Sequence, residues 1–294
     1  MPIKIPVENR VSTYPGRVTL TPVSGQANTY DMVRADMPLT EGTPINKALL
    51  DNKAYTLTED VTLYVAYNGD DISGDGTATA PFATIQRAID ELPKHLGGHT
   101  ATIDIAAGTY EERVKIVGYS AGSIIVGLYG RTVTVRGMEI VNSSHIEVNI
   151  RNITKAAGFD GTMFVANKGS EVYVANSMNI DCGTTNASGM QASEGSKIYF
   201  TNGLTLDVKN SGGSAVTAVG GSTVALSKLT GADNLFGIGA SYGGIVSYDT
   251  NTLTSGLGDA AFGGGLIIAA GGWAYLYDAS VVEEGLEWLK LESI

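Results

Sequence analysis

The sequence predicts an all-β fold, a parallel β-helix with one capping helix and an extended N-terminal arm. Three observations indicate this fold. Glycine accounts for 38 of the 294 residues, nearly twice its average share of about 7%. Short segments in which apolar and polar residues alternate follow one another from residue 101 onward. Several of these segments recur every 26 residues, and a fixed period of this length is typical of stacked repeats.

The N-terminal arm is predicted over residues 1–57, which hold six of the eight prolines. Each proline removes a backbone N–H and fixes φ, so this stretch cannot hold a long regular element. We expect one short strand over residues 17–21. A short helix is expected over residues 43–53, with Thr43 as its N-cap and Pro44 at its first position. The apolar content is too small for a separate core, so the arm is expected to order against another surface.

A strand, a loop and a cap helix are predicted over residues 58–100. The strand covers residues 61–67 and is followed by a loop rich in glycine and aspartate, in which Asp70, Asp71 and Asp75 are expected to act as turn residues. Apolar residues then recur with helical spacing before Pro93, namely Ile85, Ala88, Ile89 and Leu92. We expect this helix, over residues 84–92, to cover the open end of the column, where strand edges are otherwise exposed.

The repeats proper are predicted over residues 101–278, followed by a tail over residues 279–294. Four repeats start at a spacing of 26, at Ser144, Ser170, Ser196 and Ser222. Each holds a pair of inward apolar residues, Ile146/Val148, Val172/Val174, Ile198/Phe200 and Val224/Leu226, around the outward residues Glu147, Tyr173, Tyr199 and Ala225. A second strand follows at the same spacing, with Leu204 in the place of Met178. Stacked at about 4.8 Å, roughly seven coils make a column on the order of 33 Å long.

Composition excludes several classes of function. The net charge of −11, from 19 basic and 30 acidic residues, disfavours binding to nucleic acid, because phosphate contacts need clustered Lys and Arg. A single cysteine, Cys182, excludes a disulfide framework and is expected to be buried or in a turn. No run of 18 apolar residues is present, so we expect no membrane insertion. The first ten residues lack the apolar core of a signal peptide, so we expect synthesis in the cytoplasm without a secretory signal.

Residues 62–116 resemble the opening of the pectate-lyase-like right-handed β-helix superfamily. The resemblance rests on the cap-helix and first-coil motifs Pro81-Phe82, Thr84-Ile85-Gln86, Ala88-Ile89, Gly108-Thr109-Tyr110, Glu112, Val114 and Ile116. It covers about 60 residues and implies a right-handed β-helix. The superfamily includes lyases, hydrolases, esterases and non-enzymatic adhesins, so the resemblance implies no single activity.

Residues 7–50 are similar to an N-terminal module on structural proteins of phages and prophages of Firmicutes. An attachment arm followed by a β-helix is the general layout of tailspikes, tail fibres and related appendages, which are usually homotrimers. The two resemblances imply a bacteriophage virion protein that binds other virion proteins through residues 1–57. A head fibre or a capsid-decoration protein remains an alternative. Residues 281–291 resemble a short amphipathic segment, and we expect this segment to lock three subunits together.

Three aspartates are the main candidates for chemistry, because Asp181, Asp207 and Asp233 are also spaced by 26. Stacked carboxylates repel one another unless a cation or a proton lies between them. By resemblance, such aspartates hold Ca²⁺ while a basic residue accepts a proton, and Lys209 follows Asp207 closely. Three interpretations stay open: turn residues, a structural cation site, or a catalytic or glycan-binding cleft. The last makes a polysaccharide lyase or hydrolase the alternative function.

Outward aromatic residues are the second set of candidates. They are Tyr173 and Tyr199, with Tyr248, Trp273 and Tyr275 further along the chain. Such a row stacks on the sugar rings of a host cell-surface glycan or forms a contact between subunits. No nucleophile, base and acid occur at the spacing of a known catalytic set, so no catalytic residue is assigned. The sequence therefore favours adhesion or structure over catalysis.

Overall fold

The computed structural model describes residues 56–269 without a gap, together with six short strand segments nearer the chain ends. The chain forms two compact units, residues 1–54 and residues 55–294. In the first unit, two antiparallel pairs are described: β1 (Val11–Ser12) with β4 (Pro38–Thr40), and β2 (Val18–Pro22) with β3 (Tyr30–Arg34). The strand expected at residues 17–21 is confirmed as β2. The helix expected over residues 43–53 and most of the segment 281–291 lie outside the described residues.

The second unit is a parallel β-helix with three strand faces, which confirms the predicted fold. Face A contains β5 (Val61–Val65), β6 (Thr100–Ile105), β9 (Ser123–Val126), β12 (Ile146–Val148), β15 (Glu171–Val174), β18 (Lys197–Phe200), the first halves of β21 (Thr223–Asn234) and β23 (Ile245–Ser255), and β25 (Leu266–Ala269). Two antiparallel strands, β26 (Trp273–Leu276) and β27 (Leu289–Leu291), follow β25.

Faces B and C complete each turn of the column. Face B contains β7 (Gly108–Thr109), β10 (Val133–Val135), β13 (Asn152–Thr154), β16 (Met178–Thr185), β19 (Thr205–Ser211) and the second halves of β21 and β23. Face C contains β8 (Arg113–Val117), β11 (Gly137–Val141), β14 (Phe164–Asn167), β17 (Met190–Ala192), β20 (Ser214–Val219), β22 (Phe236–Ser241) and β24 (Ala260–Phe262). The seven strands on face C match the expected number of coils.

The core is built from inward ladders that run the length of the column. On face A, nine buried residues lie in register from strand to strand: Val61, Ala101, Ile124, Ile146, Val172, Ile198, Val224, Val246 and Ile267. Burying one Val or Ile side chain fully contributes about 1.5–3 kcal/mol. The alternation predicted for these strands is confirmed, because each outward neighbour points away from this ladder.

A second ladder of four buried serines lines the corner where face C leads into face A. The backbone N–H of each serine donates to the hydroxyl of the next, from Ser143 to Ser170 at 3.2 Å, then to Ser196 and to Ser222 at 3.1 Å each. The 26-residue repeat that starts at Ser144 is in register, but the buried serine of its first turn is Ser143. That turn places a left-handed residue, His145 at φ 55°, directly before the strand, which shifts the buried position back by one residue.

The cap helix α1 (Ile85–Glu91) confirms the helix predicted over residues 84–92. It is the one helix in the described part of the chain, and it is far too short to cross a membrane. Thr84 is its N-cap and accepts a hydrogen bond from the backbone N–H of Arg87. Ile85 and Ile89 are fully buried against the column. The apolar face read from the sequence therefore packs as expected.

Side chains around α1 form hydrogen bonds with backbone groups at the strand edge and at the start of the helix. The amide of Gln86 accepts the backbone N–H of Lys115 at 2.7 Å and donates to its carbonyl at 3.0 Å, as a neighbouring strand would do. Glu112 accepts the N–H groups of Ile85 and Gln86. Asp71 accepts those of residues 83 and 84. The cap therefore closes the first edge of face C by hydrogen bonds as well as by apolar contact.

Candidate functional site

The outward side of face B carries an unbroken column of hydrogen-bonding side chains, here called the polar column. Its members lie in register on successive strands: Thr109, Thr134, Asn152, Asn179, Asp207, Thr230 and Thr252. All seven are half-buried or exposed. Hydroxyl, amide and carboxylate groups thus follow one another at the spacing of parallel strands.

Several members of the polar column bond to each other. Asn152 Nδ2 lies 3.3 Å from Thr134 Oγ1, and Asn179 Nδ2 lies 2.9 Å from Asn152 Oδ1. Thr230 Oγ1 donates to Asp207 Oδ1 at 3.0 Å. These bonds hold the side chains in fixed orientations and leave remaining lone pairs and N–H groups directed outward.

The predicted stack of aspartates is wrong. In the structure, Asp207 pairs with Asn179, whereas Asp181 pairs with Lys209. The corner between faces A and B is two residues longer from Ile198 to Asp207 than from Val172 to Asn179. Because β15 and β18 stay in register on face A, this extra length shifts β19 by two residues relative to the repeat.

The same slip affects the apolar second strand. Met178 pairs with Leu206 rather than with the expected Leu204. The extra residues lie in the turn that precedes β19, where Leu204 packs against the core as a partly buried side chain. A spacing of 26 along the chain therefore does not align residues on face B.

Each of the three aspartates has its own surroundings. Asp181 accepts the Gly183 N–H at 3.0 Å and Asn210 Nδ2 at 2.9 Å. Asp207 Oδ2 lies 2.9 Å from Lys209 Nζ. Asp233 is exposed, with φ 60°, at an irregularity near the end of β21. Within residues 56–269 and the described strand segments, no three His, Cys, Asp or Glu side chains are grouped to hold a metal ion. The calcium interpretation stays a prediction.

Lys209 lies between two carboxylates on face B. Its pKa is raised, first by the hydrogen bond and charge of Asp207 and then by the charge of Asp181. A lysine that accepts a proton during catalysis needs the opposite shift, since only its neutral form is a base. The arrangement fits a charge pair better than a general base.

Face A presents a different outward column, here called the mixed column. It contains Thr62, Thr102, Ile125, Glu147, Tyr173, Tyr199, Ala225, Ser247 and Ile268 in register. The rings of Tyr173 and Tyr199 lie with their centroids 5.6 Å apart and their planes tilted by 30°, an arrangement within the favourable range for aromatic pairs. The structure therefore brings these two predicted residues together on the surface.

The remaining aromatic candidates do not join this pair. Tyr248 pairs with Leu226 on the inward side of face A and packs, half-buried, against the core, so its assignment to the outward row was wrong. Trp273 and Tyr275 lie in β26, which turns antiparallel to β25, and their side chains are outside the described part of the structure.

The single cysteine behaves as the sequence predicts. Cys182 is fully buried, and burial raises the pKa of its thiol to about 12. A thiol with such a raised pKa is a structural residue rather than a nucleophile.

The sequence reasoning missed the polar column as a whole. Its members are common surface residue types, and their spacing along the chain varies because the corners between faces differ in length. A signal was nevertheless present, since Asn202-Gly203 marks a turn that has no counterpart in the preceding repeat. No protein family, curated protein or solved structure significantly matches the chain.

Proposed function

We propose that this chain is a structural appendage of a bacteriophage particle that acts in adhesion to the host. Residues 1–57 are its attachment arm and the β-helix is the projecting part. The observation that carries the proposal is the nine-rung inward ladder of face A, because stacked coils of this kind support themselves. The outward side chains are then available to bind partners. The resemblance of residues 7–50 to the arm of phage structural proteins supports the same assignment.

Face A is the proposed contact between three copies of the chain. Beside the pair Tyr173 and Tyr199, its outward side carries half-buried apolar residues at Ile125, Ile245 and Ile268. Aromatic and apolar side chains are enriched in the centre of subunit interfaces, and charged ones are depleted there. A homotrimer would cover this face.

Face B is the proposed contact with a host cell-surface glycan. The polar column offers hydroxyl, amide and carboxylate groups at a regular spacing, which suits a polymer that presents hydroxyl groups at regular intervals. Lys209 and Asn210 extend this surface on the neighbouring positions of β19. Binding along face B and assembly through face A are compatible, because they use different sides of each coil.

The lyase or hydrolase alternative places catalysis on the same face. It needs Lys209 or a neighbour as the base, and the raised pKa of Lys209 works against that role. Cleavage of a host polysaccharide that is lost in Asp207→Asn would support the enzyme. Binding without cleavage would support the adhesin.

Deletion of residues 1–57 tests the arm. We expect the truncated chain to keep the circular dichroism spectrum of the column but to be missing from assembled particles. A chain with the full arm and the outward substitution Thr252→Ala serves as the control and should be incorporated normally. Incorporation of the truncated chain would overturn the attachment role. Light scattering of the full chain should give the mass of a trimer, and a stable monomer would overturn the trimer.

A further inference from the structure

The chain contains two Asn-Gly dipeptides, Asn68-Gly69 and Asn202-Gly203. The second forms the tight turn between β18 and β19. There the N–H of Leu204 donates to the carbonyl of Thr201 at 3.2 Å, and Gly203 has φ 85°. These are the features of a type II turn, in which glycine is favoured at the third position. Asparagine followed by glycine is chemically labile, because no side chain shields the glycine nitrogen from the asparagine amide.

Two side chains from the next coils surround this turn. The N–H of Gly203 donates to Ser227 Oγ at 2.9 Å. The same hydroxyl lies 3.1 Å from Asp249 Oδ2 and 3.3 Å from Asn202 Oδ1, so it can donate to one of them at a time. Ser227 is 5% exposed, whereas Asp249 is exposed to solvent. The hydroxyl therefore connects the glycine nitrogen to a carboxylate that can take its proton.

We propose that Asn202 is a self-modifying site that converts to aspartate and isoaspartate with help from Ser227 and Asp249. The Gly203 nitrogen passes its proton to Ser227 Oγ while the hydroxyl proton moves to Asp249. The nitrogen then forms a bond to Cγ of Asn202, and the electron pair of the Cγ–Oδ1 double bond moves onto Oδ1. The Ser227 hydroxyl lies beside Oδ1 and stabilises the negative charge that forms there, as hydrogen-bond donors do at other oxyanions.

The second half of the reaction restores the proton balance. The electron pair on Oδ1 returns, the bond between Cγ and Nδ2 breaks, and the leaving nitrogen takes the proton back from Asp249 through Ser227 and departs as ammonia. The cyclic imide that remains adds one water molecule at either carbonyl. The products are aspartate or isoaspartate at position 202, and water is the sole co-reactant.

Asn68-Gly69 is a matched control inside the same molecule. The N–H of Gly69 donates to the carbonyl of Ala66 at 2.8 Å, and a carbonyl cannot pass a proton onward. A side-chain atom added at Gly69 would lie 2.3 Å from the Phe82 carbonyl, so the backbone there is closely packed. The same dipeptide thus has a proton relay in one turn and none in the other.

Conversion of Asn202 changes the corner that sets the register of face B. The new carboxylate shares the hydroxyl of Ser227 with Asp249, and two carboxylates at one hydroxyl repel each other. In isoaspartate the backbone also gains a methylene group in a two-residue turn. The expected result is a local loosening between β18 and β19. This inference does not depend on the proposed function.

Peptide mapping of the folded full chain after incubation near neutral pH tests the proposal. Trypsin cleavage after Lys197 and Lys209 isolates Asn202 in one short peptide, while Asn68 lies in another. Mass spectrometry of both peptides and the amount of ammonia released give the rates of conversion. Incubation in ¹⁸O-labelled water identifies the source of the new oxygen. The variants are Ser227→Ala and Asp249→Asn, and unfolding in urea gives the rate without the relay.

We expect Asn202 to convert about a hundredfold faster than Asn68 in the folded chain, and both to convert at similar rates in urea. Ser227→Ala and Asp249→Asn should slow Asn202 and leave Asn68 unchanged. The Asn68 rate also monitors folding, since a loosened variant would speed it up. Asp249→Asn keeps the shape of an exposed side chain and so keeps the test valid if Ser227→Ala loosens the corner. Equal rates at the two sites in the folded chain, or unchanged Asn202 rates in both variants, would overturn the proposal.

Discussion

Faces A and B enclose the same core and differ in what they present outward. Face A stacks nine inward residues in register and places Tyr173 and Tyr199 on its surface. Face B is equally buried on its inner side, at Leu206 and Val208 for example, yet its outward column is polar on every rung. The difference teaches that the interior determines the stacking of the coils, while the outward residues of each face vary independently.

The largest effect is expected inside the column, and it should be the same on both faces. Ile198→Ala on face A and Leu206→Ala on face B each remove a fully buried side chain, which should lower the free energy of unfolding by about 2–5 kcal/mol. Urea denaturation measures both. A cost below about 1 kcal/mol at either position would show that the two faces do not share one core.

The next effect concerns the corner of buried serines. Ser196→Ala removes the acceptor for the N–H of Ser170 and leaves that group buried without a partner, at an expected cost of about 1–3 kcal/mol. The matched control is Ser120→Ala at an exposed serine, which should change stability by less than about 0.5 kcal/mol. If the two variants unfold alike, the serine ladder contributes nothing measurable.

A smaller effect on stability is expected from the surface of face A. Tyr199→Ala removes the ring pair, which is worth about 0.5–1.5 kcal/mol, and it should shift the proposed trimer toward monomer in light scattering. Tyr67→Ala, at an isolated tyrosine that is 79% exposed, is the control and should leave the mass unchanged. An unaltered trimer in Tyr199→Ala would remove face A from the interface.

The smallest effect on stability is expected from face B. Asp207→Asn keeps the shape of the side chain and its contact with Thr230 and removes a charge pair with the exposed Lys209, so the free energy of unfolding should change by less than about 1 kcal/mol. Binding to the proposed host cell-surface glycan should nevertheless weaken, as measured by pull-down with fragments of the host cell surface. Full binding by this variant would separate the glycan contact from the polar column.

The sequence was sufficient for the fold because the apolar alternation and the period of 26 are both set by the interior of face A. Ile146, Val172 and Ile198 keep the same spacing in the chain and in the structure. The outward position of Tyr173 follows from the same alternation.

The candidate site was harder to predict, because it lies beyond corners of unequal length. Asp181 and Asp207 keep the repeat spacing in the chain but lose it on face B, where the Asn202-Gly203 turn adds two residues. Tyr248 lies in register with the inward Leu226 at the step of 22 residues that follows Ser222, so the apolar alternation already assigned it to the inward side. The length of each corner determines the register of the strand that follows, and no residue pattern within a strand indicates that length.

Immunogold electron microscopy of purified phage particles tests the central proposal most directly. Antibodies raised against residues 101–269 should label the outside of intact particles, and the position of the gold separates a tail appendage from a head fibre. Particles assembled in the presence of a chain that lacks residues 1–57, in place of the full chain, should carry no label. Intact particles of the complete phage that carry no label, while the soluble fraction holds all of the protein, would contradict the proposal.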